Sequence, residues 1–185
     1  MTPALPDARS RFTAIYDEHY HRVLGYALRR LRRDDAQDVV AETFAVAWRR
    51  LEKVPEGDET LYWLYATARR VTANHLRAER RRRSLGTAAA AELVTATAEV
   101  SETPPPRAAA ALRSLSADDR ELLLLLAWEG LDAGGVARTL GCSRNAARIR
   151  IHRARRRFAA ALATTDAPKR APSVPDPRLR LEDIE

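Results

Sequence analysis

Residues 144–157 read RNAARIRIHRARRR: seven arginines and no acid. Such a segment cannot lie inside a fold, because burying unpaired guanidinium groups costs more than packing returns. Yet Ala147, Ile151, Ala154, Phe158 and Leu162 recur through and just past it at three- and four-residue steps. One arrangement satisfies both facts: a helix with one narrow apolar side against a core and the rest of its circumference in solvent. A second stretch, residues 69–83 (RRVTANHLRAERRRR), carries seven arginines against Glu79 alone. The two segments net +7 and +6, and the whole chain +7, so the remainder stands at −6. Few acids sit at i±4 to neutralise these arginines within their own helices. Two concentrated cationic segments on a mildly acidic chain form the electrostatic footprint of a polyanion binder with two contact points.

Composition bounds the class. The 185 residues, 45% hydrophobic and 31% charged, fit one large or two small globular domains. No apolar run reaches the roughly 18 residues of a membrane span, and residues 1–11 hold no apolar signal core. The single cysteine, Cys142, forms no internal disulfide and no zinc cluster. Both features fit a reducing cytoplasm, and the expectation is a cytoplasmic protein with no membrane attachment.

The periodicities predict an all-α fold of two small helical domains joined by a flexible linker. In residues 1–83, a helix from Phe12 to Leu31 carries Phe12, Tyr16, Tyr20, Val23, Ala27 and Leu31 as its apolar stripe. Asp35 with Asp38 resembles a capping box. A second helix, to about Leu51, turns Val40, Phe44, Ala47, Trp48 and Leu51 inward. A third, capped by Thr60, runs from Leu61 to about Arg82. Leu61, Leu64, Ala68 and Val71 form its core side, with Trp63, Arg70, Asn74 and Arg77 opposite at about 100° per residue. Residues 84–107, rich in Ala, Thr and Ser and ending in three prolines, read as the linker, with some helix near Ala88–Leu93. Residues 108–163 form the second domain: Ser116 caps a central helix, Glu121–Trp128, which Gly130 stops. Residues 164–185, with four prolines, read as a disordered tail.

The motif with most content is a short helix (about Ala133–Leu140), a Gly141 turn, a Ser143 cap and the basic helix. Val136, Ala137, Leu140 and Ala147 supply its packing corner, so it is a helix-turn-helix, and the domain is a helix-turn-helix domain. Its last helix is then a recognition helix whose N-terminal residues meet base edges in the major groove. Arg144, Asn145 and Arg148 are placed to read bases, since Arg pairs with guanine and Asn with adenine. Arg150, Arg153 and Arg155–Arg157 are placed for phosphates, which fix register. A helix-turn-helix also occurs as a mere packing corner in helical bundles, and Arg-rich helices also occur as solvated faces.

At these residues the chain resembles an extracytoplasmic-function (group 4) sigma factor of bacterial RNA polymerase. The matching stretches are Phe12–Tyr16, Val23–Arg30, DDAQDVVAETFAVAW (34–48), WLYATARRVTANHLRAERRR (63–82), LRSLSADDRELLLLLAWEGL (112–131) and VARTLGCSRNAARIRIHRARRRF (136–158). The resemblance implies a non-enzymatic initiation factor. A region 2-like domain, 1–83, would bind core RNA polymerase and the minus-10 promoter element. A region 4-like domain, 108–163, would bind the minus-35 element. For residues, it implies polymerase contact by Asp35, Asp38 and Glu42. It implies minus-10 contact by Arg69, Arg70, Asn74, Arg77, Arg80 and Arg81, and minus-35 contact by Ser143, Arg144, Asn145, Arg148, Arg150 and Arg153. Part of a base-capturing pocket would come from the loop 52–60, with Trp63 either as its wall or as plain packing. The partners implied are core polymerase, promoter DNA and, as for many such factors, an anti-sigma protein; no cofactor, metal or small-molecule substrate is implied. An alternative is a stand-alone helix-turn-helix regulator, though no dimerisation helix or ligand domain is evident. A nucleic-acid enzyme using the acids near Asp35 lacks a nucleophile–base set and a phosphate loop.

Two departures from the resembled pattern stand out. Arg70 and Asn74 occupy positions where the pattern commonly carries Asn and Asp. Gly135 stands near a position normally held by glutamate, and Gly134–Gly135 should loosen that helix by about 1 kcal/mol per glycine relative to alanine. The acidic end of the tail, LRLEDIE, is a candidate competitor for the arginine surfaces.

Overall fold

Apolar residues at three- and four-residue spacing organise the first part of the chain into three mutually packed helices: α1 (Leu5–Leu28), α2 (Arg33–Arg49) and α3 (Asp58–Leu85). The structure is a computed structural model and describes residues 5–85 and 105–166. Val23, Tyr26, Ala27, Val39, Phe44, Leu64 and Ala68 are buried where the three helices meet. A 3-10 turn, Leu51–Lys53, leads α2 toward α3.

The second unit contains α4 (Pro106–Ser114), α5 (Ala117–Ala127), α6 (Ala133–Leu140) and α7 (Arg144–Asp166). Among the described residues there is no strand. Local chemistry sets each boundary. Pro106 opens α4, where a missing N–H costs nothing. Ser116 Oγ accepts the Asp119 N–H at 3.2 Å, capping α5 as expected. The Asp132 carboxylate accepts the Gly135 N–H at 2.7 Å and caps α6. Gly141 has φ 64°, a left-handed conformation that ends α6, and the Cys142 N–H reaches back to Ala137 O at 3.0 Å. Ser143 Oγ then accepts the Ala146 N–H at 3.1 Å and starts α7. Ala147, Ile151 and Ala154 are buried against α4, α5 and α6, while Phe158 and Leu162 are half-buried. The helix-turn-helix is therefore formed as the sequence predicted.

Several expectations are corrected. α1 ends at Leu28, not Leu31, and Leu31 is buried in the following turn. Its core side is Ile15, His19, Val23, Tyr26 and Ala27; Tyr16 is exposed. α2 begins at Arg33 after Arg32, with no side-chain cap, so Asp35 and Asp38 form no capping box. Asp34 and Asp35 instead lie in the first turn, where acids favour the helix dipole. Trp48, expected inside, is 45% exposed. Its ring packs edge-on against Phe12 at 5.1 Å in an aromatic cluster with Tyr16, Tyr20 and Phe44. Thr60 does not cap α3, which starts at Asp58; its hydroxyl donates to Pro55 O at 2.7 Å and ties down the preceding loop. The helix expected near Ala88–Leu93 and most of the tail lie outside the described residues.

The two units also dock on each other. α6 packs on α3, and the end of α1 meets α5 and its following turn. Arg30 lies between two acids of the second unit: its Nε donates to Glu121 at 2.7 Å and its Nη1 to Glu129 at 3.0 Å. Arg29 also pairs with Glu129, and the Tyr26 hydroxyl donates to Glu121 at 2.9 Å. The Glu129 side chain is only 1% exposed. Burial pushes the Tyr26 hydroxyl well above its ordinary pKa, against the pull of Arg30. Burial, with the Glu129 charge nearby, pushes Tyr65 up to about 12. For Arg30, burial opposes the charge, but Tyr26, Glu121 and Glu129 outweigh it and raise its pKa. Arg30 is thus charged, and Tyr26 and Tyr65 are uncharged, at any physiological pH.

Candidate nucleic-acid interface

α7 presents its arginines as its sequence requires. Ser143, Arg144, Asn145, Arg148, Arg150 and Arg153 are all exposed around the rim left by the buried stripe. Arg144 stands 3.6 Å from Asp132, both ends well solvated. Among the described residues no carboxylate pairs with Arg148, Arg150 or Arg153. Arg157, expected to meet phosphate, instead donates to Asp119 at 2.7 Å and staples α7 to the start of α5. The α7 N-terminus therefore offers an exposed row of cations and one amide on a rigid helix, the shape that enters a major groove.

The basic run of α3 is exposed as well. Arg70, Asn74, Arg77, Arg80 and Arg81 are open to solvent and Arg69 is half-buried. Arg77 donates to Asn74 Oδ1 at 2.6 Å, so these two act as one unit on the surface. Arg70 leans on the Thr67 hydroxyl at 3.3 Å, and Arg69 reaches toward Asp118 of the second unit at 3.8 Å. Trp63 is half-buried and lines a cleft of about 450 Å³ between α3 and the α6–α7 turn, together with Arg69, Arg70, Arg138 and Gly141. Sequence reasoning gave no sign that α6 would border this cleft.

On α2, Asp38 and Glu42 are exposed one turn apart. Asp35 is only half-exposed. One of its carboxylate oxygens lies 3.0 Å from His75 Nε2 on α3, without hydrogen-bond alignment, so it is partly engaged within the fold. Among the described residues no cluster of His, Cys, Asp or Glu could hold a metal ion, and no helix is long and apolar enough to cross a membrane.

Comparison with known proteins matches this geometry. Residues 15–82 match the family model for Sigma-70 region 2, and residues 107–158 that for Sigma-70 region 4. The ECF RNA polymerase sigma factor SigL of Mycobacterium tuberculosis is 31% identical over 145 residues, covering 75% of this chain and 81% of SigL. The probable RNA polymerase sigma factor RfaY of Xanthomonas campestris is 36% identical over 129 residues, 65% of this chain but 32% of RfaY, so the chain spans about a third of that relative. Among solved structures, the sigma factor RpoE in complex with the anti-sigma factor NepR from Bartonella quintana superposes with a TM-score of 0.56. That match covers 85% of this chain and 95% of RpoE at 22% identity. CnrH in complex with the cytosolic domain of CnrY gives a TM-score of 0.55 at 24% identity, covering 83% of this chain and 88% of CnrH. The chain belongs to the extracytoplasmic-function group of RNA polymerase sigma factors. Two helical domains, regions 2 and 4, are the class the fold defines, and the stand-alone regulator is not favoured, because region 2 accounts for the first half of the chain.

Proposed function

We propose that this chain directs transcription initiation by joining core RNA polymerase to a promoter, and that it performs no covalent chemistry of its own. In this reading α7 lies in the major groove of the minus-35 element. Arg144, Asn145 and Arg148 read bases; Ser143, Arg150 and Arg153 hold the backbone. α3 meets the minus-10 element through Arg69, Arg70, Asn74, Arg77, Arg80 and Arg81, and helps hold the opened strand. Asp38 and Glu42, with a lesser share for Asp35, dock α2 on the polymerase. The work is done in the cytoplasm, where the polymerase acts. The structural relative RpoE was solved with the anti-sigma factor NepR, and CnrH with the cytosolic domain of CnrY. A protein that covers the α2 and α7 surfaces is the corresponding partner proposed here.

The observation that carries the reading is the pair of exposed arginine helices, α3 and α7, on two different units of one chain. Run-off transcription tests it. The purified chain with core polymerase should start transcripts at defined sites on cognate upstream DNA, and neither component alone should. Footprinting of duplex DNA with equal strength in the absence of polymerase would favour a stand-alone regulator instead.

A further inference from the structure

We propose that Ile149 is a base-reading residue of α7: it meets the 5-methyl group of one thymine in the minus-35 element and so makes that position specific. The inference deepens the function proposed above and rests on it.

Three large apolar side chains are exposed among the described residues: Tyr16, Trp48 and Ile149. Tyr16 and Trp48 belong to the aromatic cluster of α1 and α2, where each packs on another ring. Ile149 is 45% exposed and stands among cations instead, with Arg148 and Arg150 beside it and Arg153 one turn on. Helix formation does not require it, since a β-branched side chain is a weaker helix former than the alanines and arginines around it. The core does not require it either, since the buried side of α7 is made by Ala147, Ile151 and Ala154.

Its place on the helix says what it faces. At about 100° per residue, Asn145, Ile149 and Arg156 lie within about 30° of the direction opposite that buried stripe. His152 and Arg153 lie on either side of this outer line, and Arg148 and Arg150 stand roughly at right angles to it. With the stripe held against the rest of the unit, the outer line meets the floor of a groove and the side rows meet its phosphate walls. Asn145, Arg148, Ile149 and His152, all exposed, also stand at i, i+3, i+4 and i+7, the spacing at which one recognition helix reaches successive base edges.

The groove floor limits what an isoleucine can do there. Base edges in the major groove present hydrogen-bond donors and acceptors, and the one apolar group among them is the thymine 5-methyl. Over any other base the Ile149 side chain finds no apolar partner and covers polar edges that it cannot pair. Over thymine it buries a methyl group against its own aliphatic end. A β-branched side chain holds essentially one χ1 rotamer in a helix, so little conformational freedom is lost on contact. The surrounding arginines supply affinity for duplex of any sequence; Ile149 supplies a preference that charge cannot.

The test uses the full chain with core polymerase on a duplex promoter fragment defined by run-off transcription. Each minus-35 thymine is replaced in turn by deoxyuridine, which removes the methyl group and nothing else. Anisotropy titration of the holoenzyme should find one position at which the replacement weakens binding about fourfold, the worth of one buried methyl group. With Ile149→Ala the same replacement should change nothing, and the salt slope of binding should stay that of the parent. Ile149→Val, which keeps a branched apolar tip, should still distinguish the two bases by about twofold. Circular dichroism of Ile149→Ala should show undiminished helicity, because the site is exposed and alanine is the better helix former. A minus-35 element in which no thymine responds to loss of its methyl group overturns the inference, and so does an Ile149→Ala chain that responds as the parent does. If Ile149→Ala instead weakens binding to core polymerase without DNA, the side chain serves a protein contact and the inference is overturned as well. A chain that binds no promoter with core polymerase overturns the function proposed above together with this inference. One that initiates transcription yet treats thymine and uracil alike overturns the methyl contact alone.

Discussion

Arg157 Nη1 donates to Asp119 Oδ2 at 2.7 Å, joining the middle of α7 to the first turn of α5. The carboxylate is 9% exposed and the guanidinium 61%, so solvent screens one partner strongly. A double-mutant cycle of Asp119→Asn and Arg157→Ala, followed by urea unfolding, should give a coupling of about 0.5–1 kcal/mol. Because this arginine is occupied, Arg157→Ala should leave the salt slope of DNA binding unchanged.

The free arginines should behave differently. Arg150→Ala and Arg153→Ala, each removing one phosphate contact, should weaken holoenzyme binding to all promoter variants alike and reduce the slope of log K against log salt by about 0.9. Arg148→Ala should cost about 1–3 kcal/mol and relax base preference at one minus-35 position. Binding titrations on point-substituted promoter fragments at several salt concentrations separate the two outcomes.

Charge reversal on α2 should break the protein–protein contact alone. Asp38 and Glu42 are exposed, so Asp38→Arg and Glu42→Arg should change unfolding free energy by no more than about 0.5 kcal/mol. Each should lower affinity for core polymerase at least tenfold in a pull-down or fluorescence titration, while Asp35→Asn, already held near His75, should have the smaller effect.

His19 gives the fold an acid sensitivity. Burial lowers its pKa below 6.5, against Glu18, which raises it; Arg22 adds to the lowering. The unfolded chain therefore takes up this proton at a higher pH than the folded chain. Stability from this group is full above 6.5 and falls as the pH drops from there through the folded value. His19→Asn should flatten that part of a denaturation-midpoint profile measured between pH 7.5 and 5.

Gly141 isolates a backbone effect. Its φ is 64°, and a Cβ there would meet nothing within 4 Å. Gly141→Ala should therefore destabilise the second unit by about 1 kcal/mol through conformation alone, without steric repacking.

What the sequence made legible was local. Gly141, Ser143 and Ser116 each act on backbone groups within three or four residues, and each does what its residue type predicts. The alternation of Ala147, Ile151 and Ala154 with arginines fixed which side of α7 is buried. Expectations failed where a local signal had a rival. Asp35 resembles a cap, but the chain is already helical at Arg33 and the carboxylate turns toward His75 across the helix pair. Trp48 fits an apolar stripe, yet that stripe runs out at the surface among other aromatics. Glu129 gave no signal, because its partners lie about 100 residues away and a lone acid after an apolar helix looks like a solvated end. The same non-locality hid the surroundings of Gly135, where a Cβ would stand 2.7 Å from Tyr62 Cε1.

Site-specific photocrosslinking addresses the central claim most directly. A crosslinker in place of Asn74 and another in place of Arg148, each in the chain bound to core polymerase on an end-labelled promoter, should mark positions about 25 base pairs apart, near minus-10 and minus-35. Neither mark should form without polymerase. Marks within one helical turn of each other, or marks of equal strength with the polymerase left out, would contradict the account.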